Sequence, residues 1–202
     1  MKLSKGTRVT LFVLLLLVVD QVVKVLVKTN MTNMTVGQSI HVLGDWFQIL
    51  FIENNGMAFG LQFGEGFGKL ALSLCRLALI AVIIVYLRKL LKRPNTPTGV
   101  LFGLGAILCG AIGNEIDSIF YGVIFDYAPL FYGKVVDMLY FPIIDTTLPE
   151  TFPIWGGRHV IFFRPIFNIA DSCITCGAFY LLLFQWKFFA KAEKIDNTEN
   201  IS

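Results

Sequence analysis

The sequence predicts a membrane all-α fold: four transmembrane helices, a small extracytoplasmic β-sheet or hairpin region, and a short outer helix or lid segment. Three observations carry this expectation. Mean hydropathy is +0.69, and only 15% of the 202 residues are charged, where soluble domains carry about 25%. Leucine, isoleucine, valine and phenylalanine gather into four long runs instead of spreading over the chain. Lysine and arginine collect at alternate ends of those runs. Residues 1–191 read as a single polytopic domain, and the polar stretch 192–202 as a disordered cytoplasmic tail.

A spanning helix needs about 20 mostly apolar residues. The runs meeting that length lie at about 9–27, 70–87, 98–120 and 166–189. The first is not read as a cleaved signal peptide: the first 57 residues contain no alanine, so no A-x-A-like site follows it, and the run continues past Asp20 and Lys24. Lys2, Lys5 and Arg8 precede span one. Arg88, Lys89, Lys92 and Arg93 link spans two and three, and Lys187, Lys191 and Lys194 follow span four. The positive-inside rule therefore puts both termini in the cytoplasm and segments 28–69 and 121–165 outside. Residues 41–53 are rich in strand formers around a Gly-Asp turn signal, which predicts a sheet or hairpin near the membrane surface. In the second outer segment Pro142, Pro149, Pro153, Pro165 and the Gly156-Gly157 pair divide the chain into short pieces.

Charges within a span cost roughly 2.5–3.5 kcal/mol each on insertion scales, so each requires a reason. Asp20 and Lys24 stand four apart on one helix face, either as a neutralising structural pair or as part of a polar site. Arg76 lies in the outer half of the second span. Asn114 and Asp117 share a face near the outer end of the third, after a glycine- and alanine-rich stretch that permits close packing. Asn168 and Asp171 repeat that spacing at the start of the fourth. The helix dipole would favour Asp171 there, but it leaves the gathering of Asp20, Asp117, Asp137 and Asp171 at one membrane level unexplained. Carboxylates crowded at a low-dielectric boundary share protons, which makes an acid/base couple of the kind used in aspartic hydrolysis. Proton relays and transporters use similar acids; internal repeats that would favour a transporter are not visible.

No basic stripe interleaved with aromatics suggests a nucleic-acid partner. The four cysteines, Cys75, Cys109, Cys173 and Cys176, lie in or beside apolar runs and read as packing residues, with no metal site predicted.

Five segments resemble, in order, the motifs of the lipoprotein signal peptidase (signal peptidase II) family. They are Asp20-Gln21-Val22-Val23-Lys24, Asn54-Asn55-Gly56-Met57-Ala58-Phe59-Gly60, Gly110-Ala111-Ile112-Gly113-Asn114-Glu115-Ile116-Asp117, Val135-Val136-Asp137-Met138-Leu139-Tyr140-Phe141 and Phe167-Asn168-Ile169-Ala170-Asp171-Ser172. The resemblance implies an aspartic endopeptidase of the bacterial inner membrane, needing no cofactor. It would cut the signal peptide from diacylglyceryl-modified prolipoproteins just before the lipidated cysteine, at the periplasmic face among membrane lipids. It implies Asp137 and Asp171 as the catalytic dyad and Asn54, Gly56, Asn114 and Asn168 as the substrate-binding residues. Asp20, Lys24, Asp117 and Ala170 would support them, and globomycin-type cyclic peptides would act as inhibitors. Two departures stand out. Ser118 follows Asp117 where the family commonly has arginine, and Arg76 is expected to supply part of the missing charge. The stretch between Asp137 and Asp171 is long, and its aromatics favour a lid.

Overall fold

The computed structural model describes residues 3–32, 39–55 and 67–190. Its elements in chain order are α1 (Lys5–Met31), β1 (Ile40–Leu43), β2 (Phe47–Asn54), α2 (Phe67–Leu91), α3 (Thr98–Ile124), β3 (Val135–Tyr140), β4 (Ile144–Thr147), β5 (His159–Phe162), β6 (Ile166–Phe167) and α4 (Ile169–Phe184). Among the described residues, α1, α2 and α3 are each long and apolar enough to cross a membrane, and α4 is a shorter apolar helix.

The fourth element departs from its expected bounds of 166–189. Ile166 and Phe167 are drawn into a sheet with β3, so the helix starts only after Asn168 caps it. It ends at Gln185, beyond which 186–190 form a separate helical turn. At 1.5 Å per residue its 16 residues span about 24 Å, less than the roughly 30 Å of hydrocarbon. The other three helices run beyond their predicted apolar stretches, because backbone hydrogen bonding continues past the last apolar side chain.

α3 is the central helix and packs against α1, α2 and α4. Small residues allow this. A Cβ added at Gly110 would lie 2.1 Å from the Ala170 carbonyl oxygen, and one at Gly177 would lie 2.8 Å from that of Gly103. Val9, Val13, Ile80, Leu87, Leu90, Val100, Leu101 and Leu108 fill the core between the helices, together with Cys109 and Cys173. Cys75 and Cys176 face outward. Leu14, Leu15 and Val18 of α1, Val82 and Val85 of α2, and Leu182 and Leu183 of α4 are all more than half exposed. An apolar belt of this extent suits lipid as the surrounding solvent. We expect Gly110→Ala to force α4 away from α3 and to cost about 1–3 kcal/mol, the usual range for overpacking. Thermal unfolding in detergent measures it, and an unchanged midpoint would mean the two helices are not held at this crossing.

The basic segments converge on one end. The Lys5 ammonium donates to the carbonyls of Thr96 (3.0 Å) and Pro94 (3.4 Å), and Tyr180 and Gln185 close over Gly99. At the opposite end lies an antiparallel sheet of order β1-β2-β3-β6. β3 is one of its two inner strands, with Val136 and Met138 packed on Val27, Met31 and Tyr121. Phe47 stacks on Phe141 (4.6 Å between centroids, 4° between planes), and Phe141 on Phe167 (5.7 Å). The long segment after β3 holds the two-stranded β4-β5 sheet, which is largely exposed, as is most of the stretch joining its strands. The short outer helix admitted as an alternative does not occur among the described residues; Ile144 to Thr147 pair in register with Phe162 to His159 instead. The 192–202 tail lies outside the described residues.

Candidate active site

Three polar groups from two helices form the floor of the site. Lys24 of α1 is fully buried, and its ammonium touches three oxygens: Asp117 Oδ2 at 2.8 Å, Asp20 Oδ2 at 3.0 Å and Asn114 Oδ1 at 3.0 Å. An ammonium has three donors and no acceptor, so its capacity is filled. Asp20 and Asp117 are likewise at 0% exposure. Asp20 Oδ1 accepts from the Ala170 backbone N–H at 2.8 Å, and Asp117 Oδ2 from that of Val136 at 3.3 Å. The ion cluster therefore ties α1 and α3 to the start of α4 and to β3. It is a tertiary hub, not only an i,i+4 pair.

Sequence reasoning did not single out Gln21, yet its amide nitrogen donates to Asp117 Oδ1 (3.0 Å), Asp20 Oδ2 (3.1 Å) and the Gly113 carbonyl (3.1 Å). Its carbonyl accepts from the Tyr121 hydroxyl at 3.3 Å. The available signal was an amide inside an apolar run, which needs a partner in the same way a charge does.

Above this floor stand two carboxyl groups bridged by amides. Asp137 lies on β3, where strand alternation turns it away from Val136 and Met138. It is 5% exposed; its Oδ1 accepts from Asn168 Nδ2 at 2.8 Å and its Oδ2 from Asn54 Nδ2 at 3.2 Å. Asp171, half-buried in the first turn of α4, accepts from Asn114 Nδ2 at 2.7 Å and from the Asn168 backbone N–H at 3.3 Å. Asn168 is the N-cap of α4. Its side-chain oxygen accepts from the Asp171 N–H at 2.9 Å, completing a reciprocal capping box. The same side chain that starts the helix therefore also joins the two aspartates.

The orientation of these amides is dictated from below. Lys24 can only donate, so Asn114 must present its oxygen downward and its NH2 to Asp171. That oxygen also accepts from Asn168 Nδ2 at 3.1 Å. Burial, and then the neighbouring charge of Asp171, push the Asp137 carboxyl up to about 6.

The structure thus gathers Asp20, Lys24, Asn54, Asn114, Asp117, Asp137, Asn168, Ala170 and Asp171 into one continuous network. Gly56 lies outside the described residues. Arg76 is on the α2 side: its Nη1 donates to Ser118 Oγ at 3.4 Å, and Ser118 Oγ donates to the Asn114 carbonyl at 3.0 Å. Buried Glu115 lies beside Arg76 and Ser73. Arg76 therefore reaches the position after Asp117 from the neighbouring helix. Among the described residues, no group of three or more His, Cys, Asp and Glu side chains could hold a metal ion.

Residues 12–187 match the model of the signal peptidase (SPase) II family. The chain belongs to that family. As a signal peptidase II family member it is a membrane protease. A lipoprotein signal peptidase of Porphyromonas gingivalis is 46% identical over 197 residues, covering 90% of this chain and 84% of the relative. One of Amoebophilus asiaticus is 43% identical over 176 residues, covering 84% and 74%. Among solved structures, a bacterial membrane enzyme determined by the in meso method superposes with a TM-score of 0.60 at 24% identity, covering 92% of this chain and 91% of that one. A second bacterial membrane enzyme gives 0.55 at 26% identity, with 88% and 91% covered.

Proposed function

We propose that this signal peptidase II family member is a lipoprotein signal peptidase of the aspartic type. It hydrolyses the signal peptide from diacylglyceryl-modified prolipoproteins immediately before the lipidated cysteine. The observation that carries this reading is the amide-bridged pair Asp137 and Asp171, set at the mouth of a buried ion cluster in a chain of this family. Its setting is the bacterial cytoplasmic membrane, with both termini and the basic segments inside and the aspartates at the periplasmic face.

The chemistry follows from the unequal settings of the two carboxyl groups. Asp137, held to about 6 by burial and by Asp171, keeps the shared proton and donates it as a hydrogen bond to the scissile carbonyl oxygen. Ionised Asp171 takes a proton from the attacking water. The tetrahedral intermediate then collapses as Asp171 passes that proton to the leaving nitrogen, and each carboxyl ends as it began. Asn54, Asn114 and Asn168 set the directions of both groups, since their amide N–H donors point at carboxylate oxygens. Globomycin-type peptides would compete for the same mouth.

The test is cleavage of a diacylglyceryl-modified prolipoprotein by the purified chain, with the products identified by mass spectrometry and kcat/KM followed over pH. The expected product begins at the lipidated cysteine. Only the singly protonated pair is competent, so kcat/KM falls as pH rises through about 6, where Asp137 loses its proton. Equal cleavage of unmodified precursor, or a profile flat from about pH 5 to about pH 8, on both sides of the expected midpoint, would overturn the substrate and the proton assignment respectively.

A further inference from the structure

A cavity of about 620 Å³ opens beside the last turn of α1, lined by residues that include Lys28, Glu53, Tyr127, Tyr132 and Lys134. That volume is within the range of ligand sites, and the peptidase reading does not use it. Glu53 pairs with Val136 across β2 and β3, so both side chains face the helices, whereas Asn54 beside it turns to Asp137 on the other face. The cavity and the aspartate pair are therefore back to back across one strand.

Its charge is unbalanced. Glu53 is engaged by Lys28 and, at 3.4 Å, by Lys134. Behind Tyr132, Lys69 places its ammonium on that residue's carbonyl at 3.0 Å. Within the lining, two ammonium groups thus share one carboxylate. Phe51, Phe125 and Tyr127 form an aromatic cage of the type that holds quaternary ammonium groups. Lys28 already fills it, with its nitrogen 5.6, 4.7 and 4.6 Å from the three ring centroids. A headgroup cation finds the cage occupied and Glu53 spent, while an anion finds surplus positive charge. The Tyr127 hydroxyl accepts from the Lys134 backbone N–H at 2.7 Å, so its own proton is available to donate elsewhere.

The approach to the cavity is apolar. Val22, Val25 and Leu26 of α1 are exposed, and Thr29, on the same helical face one turn on, lines the cavity. An acyl chain along that stripe would bring its headgroup to Lys28 and Lys134.

We propose that this cavity binds the phosphoryl headgroup of an anionic glycerophospholipid, such as phosphatidylglycerol, from the leaflet that surrounds the outer end of α1. The proposal rests on the membrane orientation given under Proposed function, not on the catalytic assignment. Basic pockets beside spanning helices recognise lipid headgroups through compact lysine charges.

The test is native mass spectrometry of the full chain released from detergent carrying phosphatidylglycerol or phosphatidylcholine. Phosphatidylglycerol should be retained at least about fivefold better, the factor that one favourable lysine near a membrane surface supplies. Lys134→Gln should lower that retention by about fivefold, and Glu53→Gln should raise it by a similar factor, since it removes the competing carboxylate. Opposite signs at two neighbouring positions separate charge recognition from damage to the fold. Equal retention of the two lipids, or no response to either substitution, overturns the proposal. So does loss of the lipid to inorganic phosphate at matching concentration, which would make the ligand a free anion. Asp137→Asn should retain the lipid as the unsubstituted chain does, so a failed cleavage assay would leave this result standing.

Discussion

Asp137→Asn and Asp171→Asn, made separately, should each reduce cleavage of diacylglyceryl-prolipoprotein by about 10²–10⁴-fold, the usual contribution of a positioned acid or base, while the protein remains folded. The reason lies in what an amide can replace. At position 137 the carboxyl accepts from Asn54 and Asn168. Asparagine keeps one acceptor oxygen for them, and its NH2 has no proton that can be passed to a substrate and recovered. At position 171 the amide oxygen can still receive Asn114 Nδ2, but it cannot take a proton from water. Neither variant adds a charge to a crowded site, so the fold is not asked to bury more than before.

The two substitutions differ in their pH signatures. Asp137→Asn removes the group that is pushed up to about 6, so whatever activity remains should lose its fall across that pH. Asp171→Asn should leave any residual activity without its ionised base. Cleavage is followed by separating precursor from product, and folding by thermal unfolding in the same detergent. Undiminished activity in either variant would remove that aspartate from the dyad. Lost activity together with a lost unfolding transition would show that the position is structural.

The three long apolar helices and the gathering of the acids were legible because hydrocarbon imposes a simple rule: an apolar run of fixed length, with every charge inside it accounted for. Asp20 and Lys24 could be paired from spacing alone, and they do pair, at 3.0 Å. Their third partner, Asp117, comes from α3 and reaches Lys24 only through the α1–α3 packing. Periodicity within one helix cannot specify such a contact. The start of α4 shows a different limit. Ile166 and Phe167 are as apolar as the helix that follows, and only pairing with Tyr140 and Leu139 makes them strand. Asn168 is legible as a cap, but its bridging of Asp137 and Asp171 requires β3 and α4 to be adjacent. The β4–β5 sheet after β3 was marked by prolines and glycines as broken chain. Those residues announce turns without stating which strands pair across them.

Lys24→Met should be the most destabilising single change in the floor of the site, costing about 3–5 kcal/mol, as expected when one partner of a buried ion cluster is removed. Methionine keeps the unbranched apolar stem of lysine and lacks only the terminal ammonium, so the cost is mainly electrostatic and not that of a large cavity. It leaves Asp20 and Asp117, both fully buried, as two carboxylates with no cation between them. Gln21 bridges them through a single amide nitrogen, which cannot neutralise either. The damage should also reach the site above. Without the ammonium, nothing obliges Asn114 to present its oxygen downward, and a flipped amide would point its own oxygen at Asp171. Activity per folded molecule should therefore fall as well. The triple variant Asp20→Asn, Lys24→Met and Asp117→Asn removes the orphaned charges and should recover at least half of the lost stability, because a neutral hydrogen-bonded cluster replaces an unbalanced one. It should not recover the activity, since Asn114 still lacks its donor. Unfolding midpoints in detergent separate the two effects. A Lys24→Met protein within about 1 kcal/mol of the unsubstituted chain, the level of a peripheral ion pair, would show that the cluster does not hold α1, α3, β3 and α4 together.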